Sequence, residues 1–336
     1  MKTNLNKLYN KLHNKKVLIT GGLGMIGSTI ANKLVQLGAD VTVVDACISP
    51  FGANYFNVKD VKDKININIS DIRDRESIKC LIRNKDIVFN LAGQVSHNDS
   101  IDNPYLDAEI NYMGHLNVLE ALRHYSPQAR ILFAGSRLQY GKIEKNPVAE
   151  DHPSRPLTPY ALNKLAAENL YLFYNRVYKI STVVFRIANP YGPRAQMRHC
   201  KYAMVNWFIR LAMENKTIKI FGDGNQIRDY IYVEDLAEAF ILASVKKEAN
   251  GQIFNVGSGV GTIFKDMAHL ITDIVKSGKI DLVPWPENYI NVETGDYIAD
   301  ISKIKNELDW TPKTRLKLGI EMTCQFYRKY KKYYWD

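Results

Sequence analysis

The chain has 336 residues, of which 46% are apolar and 24% charged, with a formal net charge of +10. That content supports a large core in one large domain or two closely joined ones, and no run of about 18 uncharged apolar residues is present to form a membrane span. Lysine and arginine are scattered rather than gathered into a nucleic-acid face, and Cys47, Cys80, Cys200 and Cys324 lack metal-ligand or redox-pair spacing, so no nucleic-acid partner, no metal site and a reducing, cytoplasmic setting are expected.

Residues Met1–Lys16 place Leu5, Leu8 and Leu12 at helical spacing among Lys and Asn, a short amphipathic helix without the continuous apolar core of a secretion signal. Lys16–Thr20 then reads as a buried strand, Gly21 to Gly27 as a glycine turn, Met25–Leu37 as a helix and Val41–Asp45 as a second strand. Strand, glycine turn and helix in this order form a dinucleotide site. Gly21 takes a backbone conformation denied to other residues, Gly24 lets the main chain approach a pyrophosphate, and Gly27 lets the helix lie close to the strand. The pyrophosphate faces the helix N-terminus, around Met25 and Ile26, where the dipole favours an anion. Asp45, eighteen residues beyond Gly27, is placed to accept hydrogen bonds from an adenosine ribose, which favours NAD over NADP.

Further strands are expected at Ile65–Ile69, Ile87–Leu91, Ile131–Ala134 and Thr182–Ile187, with helices near Arg73–Arg83, Tyr105–Tyr125 and Tyr160–Tyr178. This alternation predicts an α/β fold, a Rossmann-like doubly wound parallel sheet with a smaller α/β C-terminal substrate-binding region. Residues 1–189 form the cofactor half, with 229–256 returning to it, and 190–336 form mainly the substrate half. The basic, aromatic cluster around Arg328 to Lys332 reads as a solvated, partly packed terminal helix.

Ser136 follows a strand, and Tyr160 and Lys164 lie four apart on one helix face. An ammonium beside a phenol favours its ionised form, so Lys164 together with the nicotinamide's positive charge is expected to lower the Tyr160 pKa. The phenolate then takes a hydroxyl proton while hydride leaves the same carbon, and Ser136 holds that oxygen.

With these motifs in order, together with Asp71-Ile72, Asn90-Leu91-Ala92-Gly93, Asn189 to Pro193, Gly222-Asp223-Gly224 and Arg228-Asp229-Tyr230, the chain resembles the NAD-dependent epimerase/dehydratase family of extended short-chain dehydrogenases/reductases. The resemblance implies that Asp71 and Ile72 flank the adenine, that Leu91, Ala92 and Gly93 lie along the cofactor, and that Lys164 also touches the nicotinamide ribose. It implies that Asn189 and Arg228 meet the diphosphate of a nucleotide sugar, and that the protein is a homodimer through the helices starting near Tyr105 and Tyr160. Residue by residue, Asp71 has an alternative role as a helix N-cap, and Arg228 as the partner of a local acid.

Two departures bear on the reaction. Dehydratases of the family follow the residue matching Ser136 with acids, where this chain has Arg137 and Leu138, so dehydration needs Glu144 or His97 to substitute. Many members also carry an Arg where this chain has Glu293, which points away, contacts a ribose, or pairs with Arg194 or Arg198. The reading is therefore a nucleotide-sugar epimerase acting at C4 through a 4-keto sugar. A 4-dehydrogenase or 4-ketosugar reductase is the first alternative, ahead of a 4,6-dehydratase and a non-catalytic NAD-binding protein.

Overall fold

The computed structural model describes residues 8–286 and 290–335. Seven parallel strands form the main sheet: β1 (Lys16–Thr20), β2 (Asp40–Asp45), β3 (Ile65–Ile69), β4 (Ile87–Asn90), β5 (Arg130–Ser136), β6 (Ser181–Ile187) and β10 (Gln252–Val256), in the spatial order 3-2-1-4-5-6-10. The order reverses between β1 and β4, and crevices of this kind at the carboxyl ends of strands hold ligands.

Central strands of such a sheet are buried on both faces, so they read as continuous apolar runs. Val17 and Ile19 point to one face, with Ile30 and Leu34 of helix α1 (Met25–Gln36). Leu18 points to the other, which is covered by α2 (Arg75–Ile82), α5 (His115–Tyr125) and α6 (Pro159–Tyr178) through Ile78, Leu119 and Tyr171.

The stretch read as one helix from Tyr105 to Tyr125 is helical throughout, with a π-helical segment inside it. A short α3 (Asp99–Asp102) ends at Asn103, whose side chain accepts from the Leu106 amide (3.1 Å) and caps α4 (Pro104–Ala108). A π-helical segment, Glu109–Gly114, then leads into α5. Likewise the cap of α2 is Asp74, which accepts from the Glu76 and Ser77 amides, so Asp71 is not the N-cap.

Beyond β6 the chain builds β7 (Asn189–Tyr191), α7 (Met204–Met213), β8 (Thr217–Phe221) and β9 (Ile227–Tyr232). Helix α8 (Val233–Val245) then returns to pack on α1, and β10 pairs with β6. Next come β11 (Gly261–Ile263), α9 (Phe264–Val275), β12 (Lys279–Val283), α10 (Ser302–Leu308) and α11 (Leu316–Tyr330). Strands β7, β9 and β11 form one small sheet, β8 and β12 another, around a second core containing Phe208, Ile220 and Met267.

Both ends of the described chain are tied to the cofactor half. Leu8 and Leu12 pack on its core, whereas Leu5 lies outside the described residues. Tyr333 stacks on Phe56 with ring centroids 3.7 Å apart and Lys59 sits over Tyr330, so the basic aromatic end is packed as expected.

Candidate active site

One cavity of about 1030 Å³ runs along the carboxyl ends of the strands, from the glycine turn past Ser136 and Tyr160 to Arg228 and Trp285. Its first end fits a dinucleotide. Gly21 has φ +65°, and a Cβ there would come 2.9 Å from the Ala92 amide nitrogen; a Cβ on Gly27 would come 2.4 Å from the Gly21 carbonyl oxygen. Both positions require glycine. Gly24, Met25, Ile26 and Gly27 wall the cavity at the start of α1, where helix amides without intrahelical partners favour an anion.

Asp45 ends β2 on the cavity wall, its two oxygens accepting from the Leu23 and Cys47 amides, each at 3.0 Å. These bonds fix the carboxylate and leave lone pairs for a ribose, while burial raises its pKa. Asp71 pairs with Arg73 (2.7 Å), and Ile72 is buried beneath Gly114. Both line the same cavity, as do Leu91, Ala92 and Gly93 after β4.

Ser136, at the end of β5, and Tyr160 and Lys164, in the first turns of α6, meet at the middle of the cavity. Thr158 caps α6 and Pro159 opens it, which fixes where the first turn begins. The Ser136 hydroxyl lies close enough to the Tyr160 phenol to favour its ionised form, and the Lys164 ammonium lies 6.0 Å from the phenol ring centroid, donating to the Ala134 carbonyl (3.2 Å). The turn after Ser136 is a capping box in which the Ser136 amide donates to Gln139 (2.7 Å).

The electrostatics reverse one expectation. Burial pushes the Tyr160 phenol up to about 12, against the lowering influence of Ser136 and Arg137. Burial also pulls the Lys164 ammonium down to about 8. Removing both groups from water favours their neutral forms.

Two side chains escaped the reading of the sequence. Asp107, fully buried, accepts from Asn111 (2.9 Å) and Asn163 (2.8 Å), and its charge raises the phenol pKa. Asn111, in the π-helical segment, donates to the Gln94 carbonyl (3.0 Å), while its own side-chain oxygen is buried without a partner. Such π segments recur at functional sites. A Cβ on Gly93 would come 2.9 Å from this oxygen and 3.0 Å from the Lys164 nitrogen, so the missing side chain keeps room for both.

At the far end Asn189 and Arg228 line the cavity with Trp207 and Trp285. Arg228 donates to Glu293 at 2.6 Å, its local-acid alternative, so Glu293 pairs with neither Arg194 nor Arg198. Arg194 is held by Glu234 (3.2 Å), and Arg198 donates to the Phe51 carbonyl (3.2 Å). Of the two substitutes considered for a dehydratase acid, Glu144 pairs with Arg155 (2.6 Å) on an exposed surface, and His97 lies in the cavity with its pKa down to about 4 through burial.

Comparisons with known proteins agree with this geometry. A family model described as GDP-mannose 4,6 dehydratase matches residues 18–323. A putative UDP-glucose 4-epimerase of Methanocaldococcus jannaschii is 32% identical over 91% of this chain and 96% of its own length. A CDP-paratose 2-epimerase of Salmonella typhi is 33% identical over 91% of this chain and 97% of its own. The solved UDP-glucose 4-epimerase of Thermus thermophilus in complex with NAD superposes with a TM-score of 0.84 at 29% identity, covering 93% of this chain and 99% of that one.

Proposed function

The chain belongs to the NAD-dependent epimerase/dehydratase family of extended short-chain dehydrogenases/reductases, and on that premise we propose that it is an NAD-dependent nucleotide-sugar epimerase, acting at C4 in carbohydrate biosynthesis. The observation that carries this reading is the convergence of Ser136, Tyr160 and Lys164 in one cavity where Arg137 and Leu138, rather than carboxylates, follow the serine.

NAD, when bound, accepts a hydride and returns it. The glycine turn would hold its pyrophosphate, Asp45 the adenosine ribose, Asp71 and Ile72 the adenine, and Lys164 the nicotinamide ribose. The positive nicotinamide of bound NAD would offset the burial that raises the phenol, so that Tyr160, as phenolate, takes the proton of the sugar 4-hydroxyl and later gives it back, and its closeness to Ser136 aims both groups at one oxygen. Asn189 and Arg228 hold the diphosphate, Arg228 exchanging Glu293 for phosphate oxygens, because a guanidinium binds either anion in the same planar geometry. Residues 1–189 with 229–256 thus serve the cofactor and 190–336 mainly the sugar nucleotide.

No helix among the described residues is long and apolar enough to cross a membrane, and four free cysteines fit the cytoplasmic setting we assign. The homodimer belongs to the same proposal. Leu119 faces the core, but Tyr105, Leu162, Phe173 and Val177 leave an apolar exposed strip on α4 and α6. Light scattering is expected to give twice the 38.4 kDa chain mass.

The deciding experiment incubates the protein with UDP-, GDP-, CDP- and dTDP-sugars and follows products by proton NMR, mass and NADH absorbance. The expected product is a stereoisomer of unchanged mass without accumulating NADH. A product lighter by one water would replace the epimerase with a dehydratase, and stoichiometric NADH release or dependence on added NADH with a dehydrogenase or reductase.

A further inference from the structure

Arg137 has no part in the chemistry described above, yet it sits at the centre of the cavity. It is the residue after Ser136, its side chain is only partly accessible, and it lines the cavity wall. Its Nη1 donates to Thr294 Oγ1 (3.0 Å) and its Nε reaches Asn189 Oδ1 (3.4 Å), both neutral acceptors. Among the described residues no carboxylate lies within ion-pair distance. The nearest candidate, Glu293, is committed to Arg228 at 2.6 Å, and Arg228 itself repels Arg137. Close by, the Tyr230 hydroxyl is buried on the same wall without a hydrogen-bond partner.

A guanidinium enclosed between two neutral oxygens and the ring of Tyr297, 5.3 Å away at its centroid, with no carboxylate paired to it, is costly to the folded protein and is retained where something else supplies the anion. A Tyr hydroxyl without a partner beside it marks a place for an acceptor atom. Two anionic parts of a sugar nucleotide could supply that atom, the diphosphate or a carboxylate on the sugar. Position favours the second. Arg137 adjoins Ser136 in the chain and is near enough to Tyr160 to influence its ionisation, so it flanks the hydroxyl that reacts, whereas Arg228 is the arginine assigned above to the diphosphate. We infer that Arg137 is the specificity-determining residue and that the accepted sugar is a uronate, with a carboxylate borne on the carbon next to the one oxidised. Bidentate pairing of the guanidinium with the carboxylate, with the Tyr230 hydroxyl donating to the same group, gives both groups the partner they lack.

This inference rests on the epimerase reading, and the test separates the two. With NAD present, the protein is titrated calorimetrically with UDP-glucuronate against UDP-glucose and with GDP-mannuronate against GDP-mannose, then the titrations are repeated with Arg137→Gln and Arg137→Lys. For the nucleotide that binds, the uronate is expected to bind at least about tenfold more tightly than the neutral sugar, the scale of one charge-assisted hydrogen-bonded pair. Arg137→Gln should abolish that preference while leaving the neutral sugar within about threefold, and Arg137→Lys should restore part of it. A neutral sugar bound as tightly as its uronate overturns the inference, as does a loss in Arg137→Gln shared equally by both, which assigns Arg137 to the diphosphate; either result leaves the epimerase reading standing. Failure of every nucleotide sugar to bind removes the epimerase reading, and the inference with it.

Discussion

Gln139 donates to Glu168 across 2.7 Å, and this buried hydrogen bond ties the turn that carries Ser136 to the helix that carries Tyr160 and Lys164. Glu168 also pairs with Arg186 of β6 at 2.6 Å, with both side chains almost inaccessible. Three elements of the sheet and its covering helix are therefore locked two helical turns below the phenol.

Glu168→Gln should destabilise the protein by about 3–5 kcal/mol, because it leaves the Arg186 guanidinium buried without its counter-charge. Denaturant unfolding measures this. A loss under about 1 kcal/mol would mean that water reaches the pair.

Tyr160→Phe removes the group that takes and returns the proton, and turnover should fall by roughly 100-fold or more. NAD binding, measured by calorimetry, should be unchanged. Near-normal turnover in the variant would take the proton transfer away from this residue.

Lys164 predicts a pH-dependent stability difference. Its folded pKa, about 8, lies below the ordinary lysine value of 10.5, so the free protein carries the cost of burying an ammonium. That cost is present in full below pH 8 and fades as the pH rises toward 10.5, where the unfolded chain also loses the proton. Lys164→Met should therefore unfold at a higher temperature than the parent at pH 7, with the gap closing near pH 10. A gap constant across this range would contradict the assignment.

Asp45 should make NAD bind far more tightly than NADP, since a 2′-phosphate would approach a carboxylate pinned by two amides. Asp45→Ala should narrow the difference. Equal affinities in the parent protein would remove Asp45 from the ribose site.

Glu293→Gln releases Arg228 from its counter-ion. UDP alone should then bind about five- to tenfold more tightly, the scale of one additional charge-assisted hydrogen bond. Unchanged or weaker binding would place the diphosphate elsewhere.

The central sheet was legible because its inner strands are buried on both faces, and its half-exposed edge strand Ile65–Ile69 still alternates with polar residues; Lys16–Thr20 and Ile65–Ile69 match their expected bounds, and the other expected strands agree within two residues at each end. The glycine turn and the Tyr160–Lys164 spacing were legible for a similar reason, since each is a local pattern. What was hidden depends on distant partners. Asn111 meets Gln94 only because a π-helical segment shifts the register of the helix, and no periodicity announces that. Arg228 and Glu293 are 65 residues apart, so which acid takes the arginine is settled by how β9 and the loop before α10 fold together. The direction of the Tyr160 shift could not be read from spacing, because it is decided by how much water the surrounding chain excludes.

The return of β10 to the edge of the main sheet has a consequence for how the protein is made. Until Gln252–Val256 leaves the ribosome, β6 presents its outer row of amides and carbonyls unpaired, and the intervening 64 residues, 188–251, must wait for a completed edge. A fragment ending at residue 189 would therefore expose a long, flat, apolar strand, Ser181–Ile187, as a template for intermolecular pairing. Proteolytic nicks between β6 and β10 should leave the two pieces associated, because the sheet itself is the clasp that joins them.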